Sequence, residues 1–214
     1  MTDKPLHKIR KEYTLEKLNE DEVDKNPLLQ FEGWLNDAIK SELIEPNACC
    51  LSTSTFNGKP SARMILLKKV SDEGFTFFTN YESRKAQNIL QNPYGALTFF
   101  WSELERQVRI EGKIEKISPS ESDTYFQLRP KGSKLGAWAS PQSKEIPNRR
   151  YLDSLKADFK EEFDDKYIER PDNWGGYILK PTLIEFWQGR YNRLHDRIEY
   201  NWIDGEWKIR RLAP

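Results

Sequence analysis

Apolar residues recur along this chain at two different spacings, and the switch between them separates helices from strands. Leu28, Phe31, Trp34, Leu35, Ala38, Ile39 and Leu43 fall three or four apart, the spacing of one helix face. Asn26 suits the cap and Pro27 the first helical position, so the pattern predicts a helix that starts at Pro27 and ends near Pro46. The period then drops to two. Strands are predicted over 48–55, 60–70, 75–80, 94–101 and 106–117, with turns at Asn57-Gly58 and Asp72-Glu73-Gly74. The strand over 106–117 puts Val108, Ile110 and Ile114 on one side and Gln107, Arg109, Glu111 and Lys113 on the other. A short helix over 84–91 is capped by Ser83 and stopped by Asn92-Pro93. Ser118-Pro119-Ser120-Glu121 reads as a capping box opening a helix that ends at Arg129-Pro130. The Gly/Ser/Lys-rich stretch after it is predicted as a loop. A helix over 148–163 follows, carrying Tyr151, Leu152, Leu155 and Phe159 at helical spacing. Two strands, 174–179 and 183–188, are separated by Pro181, and a hairpin over 197–212 turns at Asp204-Gly205.

Many short antiparallel strands with helices inserted between them predict a mainly β chain with flanking helices (α+β). The expected architecture is a closed or split antiparallel β-barrel, not a βαβ fold. Residues 1–25, charged and poor in apolar side chains, are expected to be a mobile N-terminal arm, with 26–214 as a single domain. No internal repeat or Pro/Gly-rich linker divides the chain.

Charge changes this picture mainly by exclusion. The chain carries 34 basic and 34 acidic residues, so nothing draws it as a whole to nucleic acid or an anionic membrane, and any anion site must be a local cluster. Aromatics make up 13% with seven Trp, enough for a core and for stacking on a planar ligand. Cys49 and Cys50 are adjacent and point to opposite faces of a strand, which argues against a disulfide and fits a reducing compartment. With two histidines and two cysteines in all, neither a protein-held metal nor Cys/His catalysis is expected. The N-terminus has no apolar signal core and no segment reaches transmembrane length, so the expected location is cytoplasmic. Nucleotide loops, zinc-protease motifs and the GxSxG elbow are absent.

Local clusters of cations remain. Arg63, Lys68, Arg84 and Lys85 accompany Thr79 and Ser83, and Ser83-Arg84-Lys85 opens a helix whose N-terminal N–H groups favour an anion. The same residues also read as a charged, solvated helix start. Tyr125 and Arg129 share a helix face, with Ser133 just beyond, a set suited to a phosphomonoester or to an ordinary surface pair. Gln107, Gln142, Ser143 and Trp187 offer polar groups for the edge of a flat heterocycle. Near the C-terminus, Arg193, His195 and Arg197 alternate with Leu194, Asp196 and Ile198, and read as a strand they form a cationic row. Such a row is either a solvated rim or a site for an anion.

These motifs, in this order, resemble the pyridoxine/pyridoxamine 5′-phosphate oxidase family of FMN-binding split-barrel flavoproteins. The resemblance runs from about Arg10 to Pro214. It rests on Arg63-Met64-Ile65-Leu66-Leu67-Lys68, Phe78-Thr79-Asn80, Ser83-Arg84-Lys85-Ala86, Glu105-Arg106-Gln107-Val108, Arg129-Pro130, Gly136-Ala137-Trp138, Gln142-Ser143, Phe186-Trp187-Gln188-Gly189 and Arg193-Leu194-His195-Asp196-Arg197. It implies FMN contacts at Arg63, Met64, Ile65, Leu66, Leu67, Lys68, Phe78, Thr79, Arg84, Lys85, Gln107, Gln142, Ser143, Trp187 and Arg197. It implies substrate contacts at Lys68, Tyr125, Arg129, Ser133, Arg193, Leu194 and His195, and a segment, Arg10, Lys11, Glu12 and Tyr13, able to fold over the substrate. Arg193 and His195 are the implied catalytic residues. The implied reaction is oxidation of pyridoxamine or pyridoxine 5′-phosphate by O2 to pyridoxal 5′-phosphate. The implied assembly is a homodimer, with FMN at the subunit interface and a dimerisation and substrate segment over about 170–214. Phe78 stands where the family frequently has tyrosine. Three rival readings are a different split-barrel flavin oxidoreductase, a non-catalytic flavin or pyridoxal-phosphate binder, and a barrel binding single-stranded nucleic acid, which the neutral charge disfavours.

Overall fold

Asn26 accepts a hydrogen bond from the Leu28 N–H through its side chain and starts helix α1, Pro27–Lys40, with Phe31, Trp34 and Ala38 turned inward. The computed structural model containing it describes residues 12–164 and 166–214. Arg10 and Lys11 lie outside the described residues. Helix α1 ends sooner than its apolar stripe suggests, because Glu42 and Glu45 adopt left-handed φ of 54° and 49°.

Among the described residues, nine strands make one sheet: β1 (Ala48–Ser54), β2 (Pro60–Leu66), β3 (Lys69–Ser71), β4 (Gly74–Asn80), β5 (Tyr94–Trp101), β6 (Arg106–Lys116), β7 (Trp174–Gln188), β8 (Asp196–Ile203) and β9 (Glu206–Arg211). The order is β2-β1-β5-β6-β7-β4-β3, with β8 pairing β7 and β9 pairing β8. Four further helices are inserted: α2 (Arg84–Gln91), α3 (Pro119–Leu128), α4 (Lys131–Ala139) and α5 (Arg149–Glu162). The capping box of α3 is present in both directions between Ser118 and Glu121.

Four expectations need correction. The strand predicted over 60–70 is broken after Leu66 and resumes at Lys69, with Leu67 buried and the Lys68 N–H donating to the Thr76 carbonyl at 2.9 Å. The stretch after Pro130 is not a loop but helix α4. Leu135 and Ala137 pack there in a core with Phe126, Ile168 and Trp174, and that burial outweighs the weak helix propensity of Gly132 and Gly136. The strands on either side of Pro181 are one strand, β7. Its ladder with β4 ends at Leu179 and its ladder with β8 begins at Leu183, so Pro181 falls where neither pairing needs its missing N–H. Finally, Arg193, His195 and Arg197 do not share one strand face. A single 3-10 turn spans Tyr191–Arg193, with φ of 53° at Asn192 and 61° at Arg193, and β8 begins only at Asp196. Two consecutive left-handed residues cannot continue a ladder.

The chain gathers into two units. The first comprises the chain up to Cys50, Leu97–Glu111 and Pro181–Pro214. Its core is aromatic: Phe31 meets Phe99 edge-on at 5.0 Å, and Phe186 meets Trp34 at 5.2 Å and Tyr200 at 5.6 Å. Each such ring, fully buried, contributes about 1.5–3 kcal/mol of transfer free energy. The second comprises Leu51–Ala96 and Gly112–Lys180. There β4 pairs with β3 on one side and with residues 174–179 of β7 on the other.

Glycines in the second unit divide into those the packing requires and those it does not. A Cβ at Gly176 would meet Ile117 Cγ1 at 2.8 Å and Phe78 Cε1 at 2.9 Å, whereas one at Gly136 meets nothing within 4 Å. Gly176→Ala should lower stability by about 1–3 kcal/mol through overpacking, and Gly136→Ala should raise it by up to about 1 kcal/mol through helix propensity. Urea unfolding of the two variants checks both signs.

Candidate active site

A cavity of about 500 Å³ opens in the second unit, walled by β2, β4, α2, α3, α4, the start of β7 and the loop carrying Gln142. Arg63, Lys68, Lys85 and Arg129 line it, and no aspartate or glutamate does. Arg63 and Lys85 are held by neutral groups. Arg63 donates to the Leu51 carbonyl at 3.1 Å, Thr53 Oγ1 at 2.8 Å and Ser61 Oγ at 2.6 Å. The buried Lys85 donates through Nζ to Thr79 Oγ1 at 3.1 Å, Gln142 Oε1 at 3.3 Å and Ser83 Oγ at 3.4 Å. Burial, and then the charge of Arg63, push its ammonium down to about 8. Asn88, from α2, also donates to Thr53 at 3.1 Å and so locks the helix to the strand beneath Arg63.

The other side of the cavity is aromatic. Tyr125 stacks on Phe78 with ring centres 3.8 Å apart, and Phe78 lies 5.5 Å from Trp174, nearly parallel to it. The Arg129 guanidinium sits 4.4 Å above the Trp174 ring. Its Nη1 is buried without a hydrogen-bond partner, and burial lowers the guanidinium's affinity for its proton. A buried, unpartnered guanidinium nitrogen is costly. An anionic oxygen is the group that would satisfy it, and Tyr125 and Ser133 line the same cavity. The residues present therefore fit phosphate-bearing ligands.

A second cluster forms within the first unit. Trp187 lies 4.6 Å from His195, and the ring of Tyr13 stands edge-on to both, at 5.7 and 5.8 Å. A Cβ on Gly189 would meet the Tyr13 ring at 2.7 Å, which accounts for glycine in the Phe186-Trp187-Gln188-Gly189 motif. The Arg190 N–H donates to His195 Nδ1 at 3.1 Å, so the neutral ring carries its proton on Nε2. Burial, then the charge of Arg193, lower the His195 pKa, with Asp196 opposing. Arg197 donates to Glu185 at 2.7 and 3.3 Å and to the Ala213 carbonyl at 2.8 Å.

Of the residues named from the sequence, the second-unit cavity gathers Arg63, Met64, Ile65, Leu66, Lys68, Phe78, Thr79, Lys85, Tyr125, Arg129, Ser133 and Gln142. Leu67 is buried behind it. Arg84 is exposed at the start of α2 and is not part of the lining, and neither is Ser143, which has a left-handed φ of 71°. Glu12, Arg193 and Leu194 are exposed, and Gln107 is half-buried on β6. Three residues carry roles that the sequence did not assign to them. Trp174 carries the stack under Arg129, and its signal was an aromatic followed by two glycines. Glu105 accepts the Thr14 and Leu15 N–H groups at 2.8 and 3.2 Å. Arg190 sets the tautomer of His195 through its backbone, which no side-chain pattern reveals.

Comparison with known proteins agrees with this geometry. Residues 35–155 match the family model described as pyridoxamine 5′-phosphate oxidase, and 174–214 match the pyridoxine 5′-phosphate oxidase C-terminal dimerisation region. A pyridoxine/pyridoxamine 5′-phosphate oxidase of Nostoc punctiforme is 54% identical over 99% of this chain and 100% of its own. One from Cyanothece sp. is 53% identical over 96% and 97%, and one from Pseudomonas putida 51% over 98% and 98%. Among solved structures, PhzG from Burkholderia lata, in complex with tetrahydrophenazine-1-carboxylic acid, superposes with TM-score 0.88 at 29% identity, covering 94% of this chain and 99% of that one. An FMN-binding protein from Nostoc punctiforme, related to pyridoxamine 5′-phosphate oxidase, shares the fold at TM-score 0.68 and 19% identity, covering 86% and 97%. The fold is thus the predicted α+β split barrel.

Lys85 should make anion binding in this cavity pH-dependent. Its folded pKa, about 8, lies below the ordinary 10.5. Between those values the unfolded chain holds a proton the folded one has released, so this residue makes the ligand-free protein more stable as pH rises through that window. A bound phosphate needs the ammonium and reverses the preference. Affinity of the ligand-free protein for inorganic phosphate should therefore fall between about pH 7.5 and about 9.5. Lys85→Met should flatten the profile, and titration calorimetry measures both.

Proposed function

The chain belongs to the pyridoxamine 5′-phosphate oxidase family, and from that premise we propose that it oxidises pyridoxamine 5′-phosphate and pyridoxine 5′-phosphate to pyridoxal 5′-phosphate, with FMN as cofactor and O2 as electron acceptor. The observation that carries this reading is the cation-lined cavity without a carboxylate, in which Arg129 keeps a buried, unpartnered nitrogen beside Tyr125 and Ser133. Two groups of phosphate ligands in one cavity suit a phosphorylated cofactor together with a phosphorylated substrate.

Arg63, Thr79 and Lys85 hold the cofactor phosphate, with Gln142 orienting Lys85. Lys68, Tyr125, Arg129 and Ser133 hold the substrate phosphate, and the stack of Phe78 and Trp174 fixes Tyr125 and Arg129 in place. Phe78 lacks the hydroxyl of a tyrosine, so its part is the stack alone. When bound, FMN would supply the two-electron oxidation of the substrate carbon, with O2 as the final acceptor and H2O2 as its product. The amine substrate then loses ammonia by hydrolysis of the imine, and the alcohol gives the aldehyde directly. Arg193 orients the reacting group. His195, neutral at pH 7 and protonated on Nε2, offers an N–H donor for the proton transfer. Trp187, Arg197, Gln107 and Ser143 complete the cofactor site in a homodimer in which each site draws residues from both chains. The protein acts in the cytoplasm in vitamin B6 salvage; among the described residues no helix is long and apolar enough to cross a membrane.

Anaerobic addition of pyridoxamine 5′-phosphate should bleach the bound flavin, and air should restore the colour. Equal rates on the unphosphorylated amine would sink the assignment of Arg129. Arg129→Leu should raise KM for the phosphorylated substrates by about 10–100-fold, the worth of a charged hydrogen bond. Arg193→Leu should instead lower kcat with FMN content unchanged. Loss of FMN in that variant would move Arg193 to the cofactor site.

A further inference from the structure

Arg211, the last residue of β9, spends one guanidinium on four acceptors. Nε and Nη2 donate to the two Glu20 oxygens at 2.5 and 2.6 Å, Nη2 also donates to the Leu18 carbonyl at 2.9 Å, and Nη1 donates to Asp196 Oδ1 at 2.8 Å. Asp196 closes the circuit. Its Oδ2 accepts the Leu18 N–H at 3.2 Å and lies 3.3 Å from Arg190 Nε. Arg190 donates through Nη1 to the Glu16 carbonyl at 3.0 Å and through its backbone to His195. Further along, the buried Glu105 takes the N–H groups of Thr14 and Leu15.

Residues 13–18 have no helix or ladder of their own, so these side chains do what secondary structure does elsewhere. An exposed ion pair usually contributes little, because two long side chains must be ordered for one contact. Here a single ordered guanidinium serves a bidentate carboxylate, a second carboxylate and a carbonyl, so one ordering cost supports four bonds. The bond from Arg211 holds the Glu20 carboxyl down at about 2. At the end of the fastened segment the Tyr13 ring lies over Trp187 and His195.

We propose that Arg211 and Asp196 form a clasp between the C-terminal strand and the segment over 13–20, seating Tyr13 on the His195 ring. Arg211 is a positioning residue for the reaction. It acts through Leu18, Glu20 and Asp196, and what it supplies is a covering conformation already ordered before substrate arrives. The inference rests on the reading of the His195 face as a substrate face.

Two measurements on the FMN-loaded, full-length protein test it. Arg211→Met should speed amide exchange over 14–18 by about tenfold or more while leaving 183–188 unchanged. The same variant should lower kcat/KM for pyridoxamine 5′-phosphate by about tenfold, yet change it less than about twofold when placed on Tyr13→Ala, because the ring it positions is gone. Arg211→Lys should recover part of both losses. Unchanged exchange in Arg211→Met overturns the clasp. Faster exchange with unchanged kcat/KM, or effects that multiply in the double variant, overturn the positioning role. Should Arg211→Met fail to fold, Glu20→Gln removes the bidentate partner at an exposed position and is read in the same way. Absence of turnover in the wild type would overturn the proposed activity instead, and the exchange measurement then decides the clasp by itself.

Discussion

Four cations share the wall of one cavity that, among the described residues, no carboxylate lines, and much of the second unit is arranged around the cost of keeping them there. Mutual repulsion and desolvation both oppose the arrangement. What offsets them is a set of neutral acceptors. Thr53, Ser61 and the Leu51 carbonyl hold Arg63, and Thr79, Ser83 and Gln142 hold Lys85. Arg129 rests on the face of Trp174. Neutral partners stabilise a charge without cancelling it, so the field in the cavity stays available to an incoming phosphate.

The first unit treats the same residue types in the opposite way. Arg106 pairs with Asp37, Arg109 and Arg197 share the buried Glu185, and Arg190 and Arg211 share Asp196. Each of these guanidiniums is paired with a carboxylate, and those of Arg190 and Arg211 also fasten the segment before α1. Nothing in the local sequence separates an arginine such as Arg129, which keeps an unpartnered nitrogen, from one such as Arg211, with four acceptors. The difference lies in which distant carboxylates the topology delivers.

The stack in the second unit shows how packing and recognition are joined. Phe78 on β4, Tyr125 on α3 and Trp174 at the start of β7 come from three separate stretches of chain. The strand register places Phe78 opposite Gly176, and the absence of a side chain at Gly176 lets the ring lie flat against the strand. A rigid aromatic floor of this kind holds Tyr125 and Arg129 at a fixed separation, as the proposed substrate-phosphate site would require.

Periodicity and capping in the sequence determined most of the helices and strands. Asn26 before Pro27 and the Ser118–Glu121 box depend on neighbours within a few residues; Ser83 precedes α2 as expected, but its side chain makes no capping bond and accepts from Lys85 instead. The cations and hydroxyls of the cavity were legible for a related reason: Arg63 to Lys68, Ser83 to Lys85, and Tyr125 to Ser133 are short motifs whose chemistry is stated by residue type. Tertiary structure alone decided the rest. Helix α4 forms because Leu135 and Ala137 find Phe126, Ile168 and Trp174, and β7 runs through Pro181 where its ladders with β4 and β8 leave a gap. The cationic row of Arg193, His195 and Arg197 dissolved for the same kind of reason. Left-handed turns at Asn192 and Arg193 precede β8, His195 turns to the Arg190 N–H, and Arg197 turns to Glu185. Local order follows from bonds that close within one turn of chain. Whether a charge is spent or left free follows from partners tens of residues away, and only the folded chain brings those together.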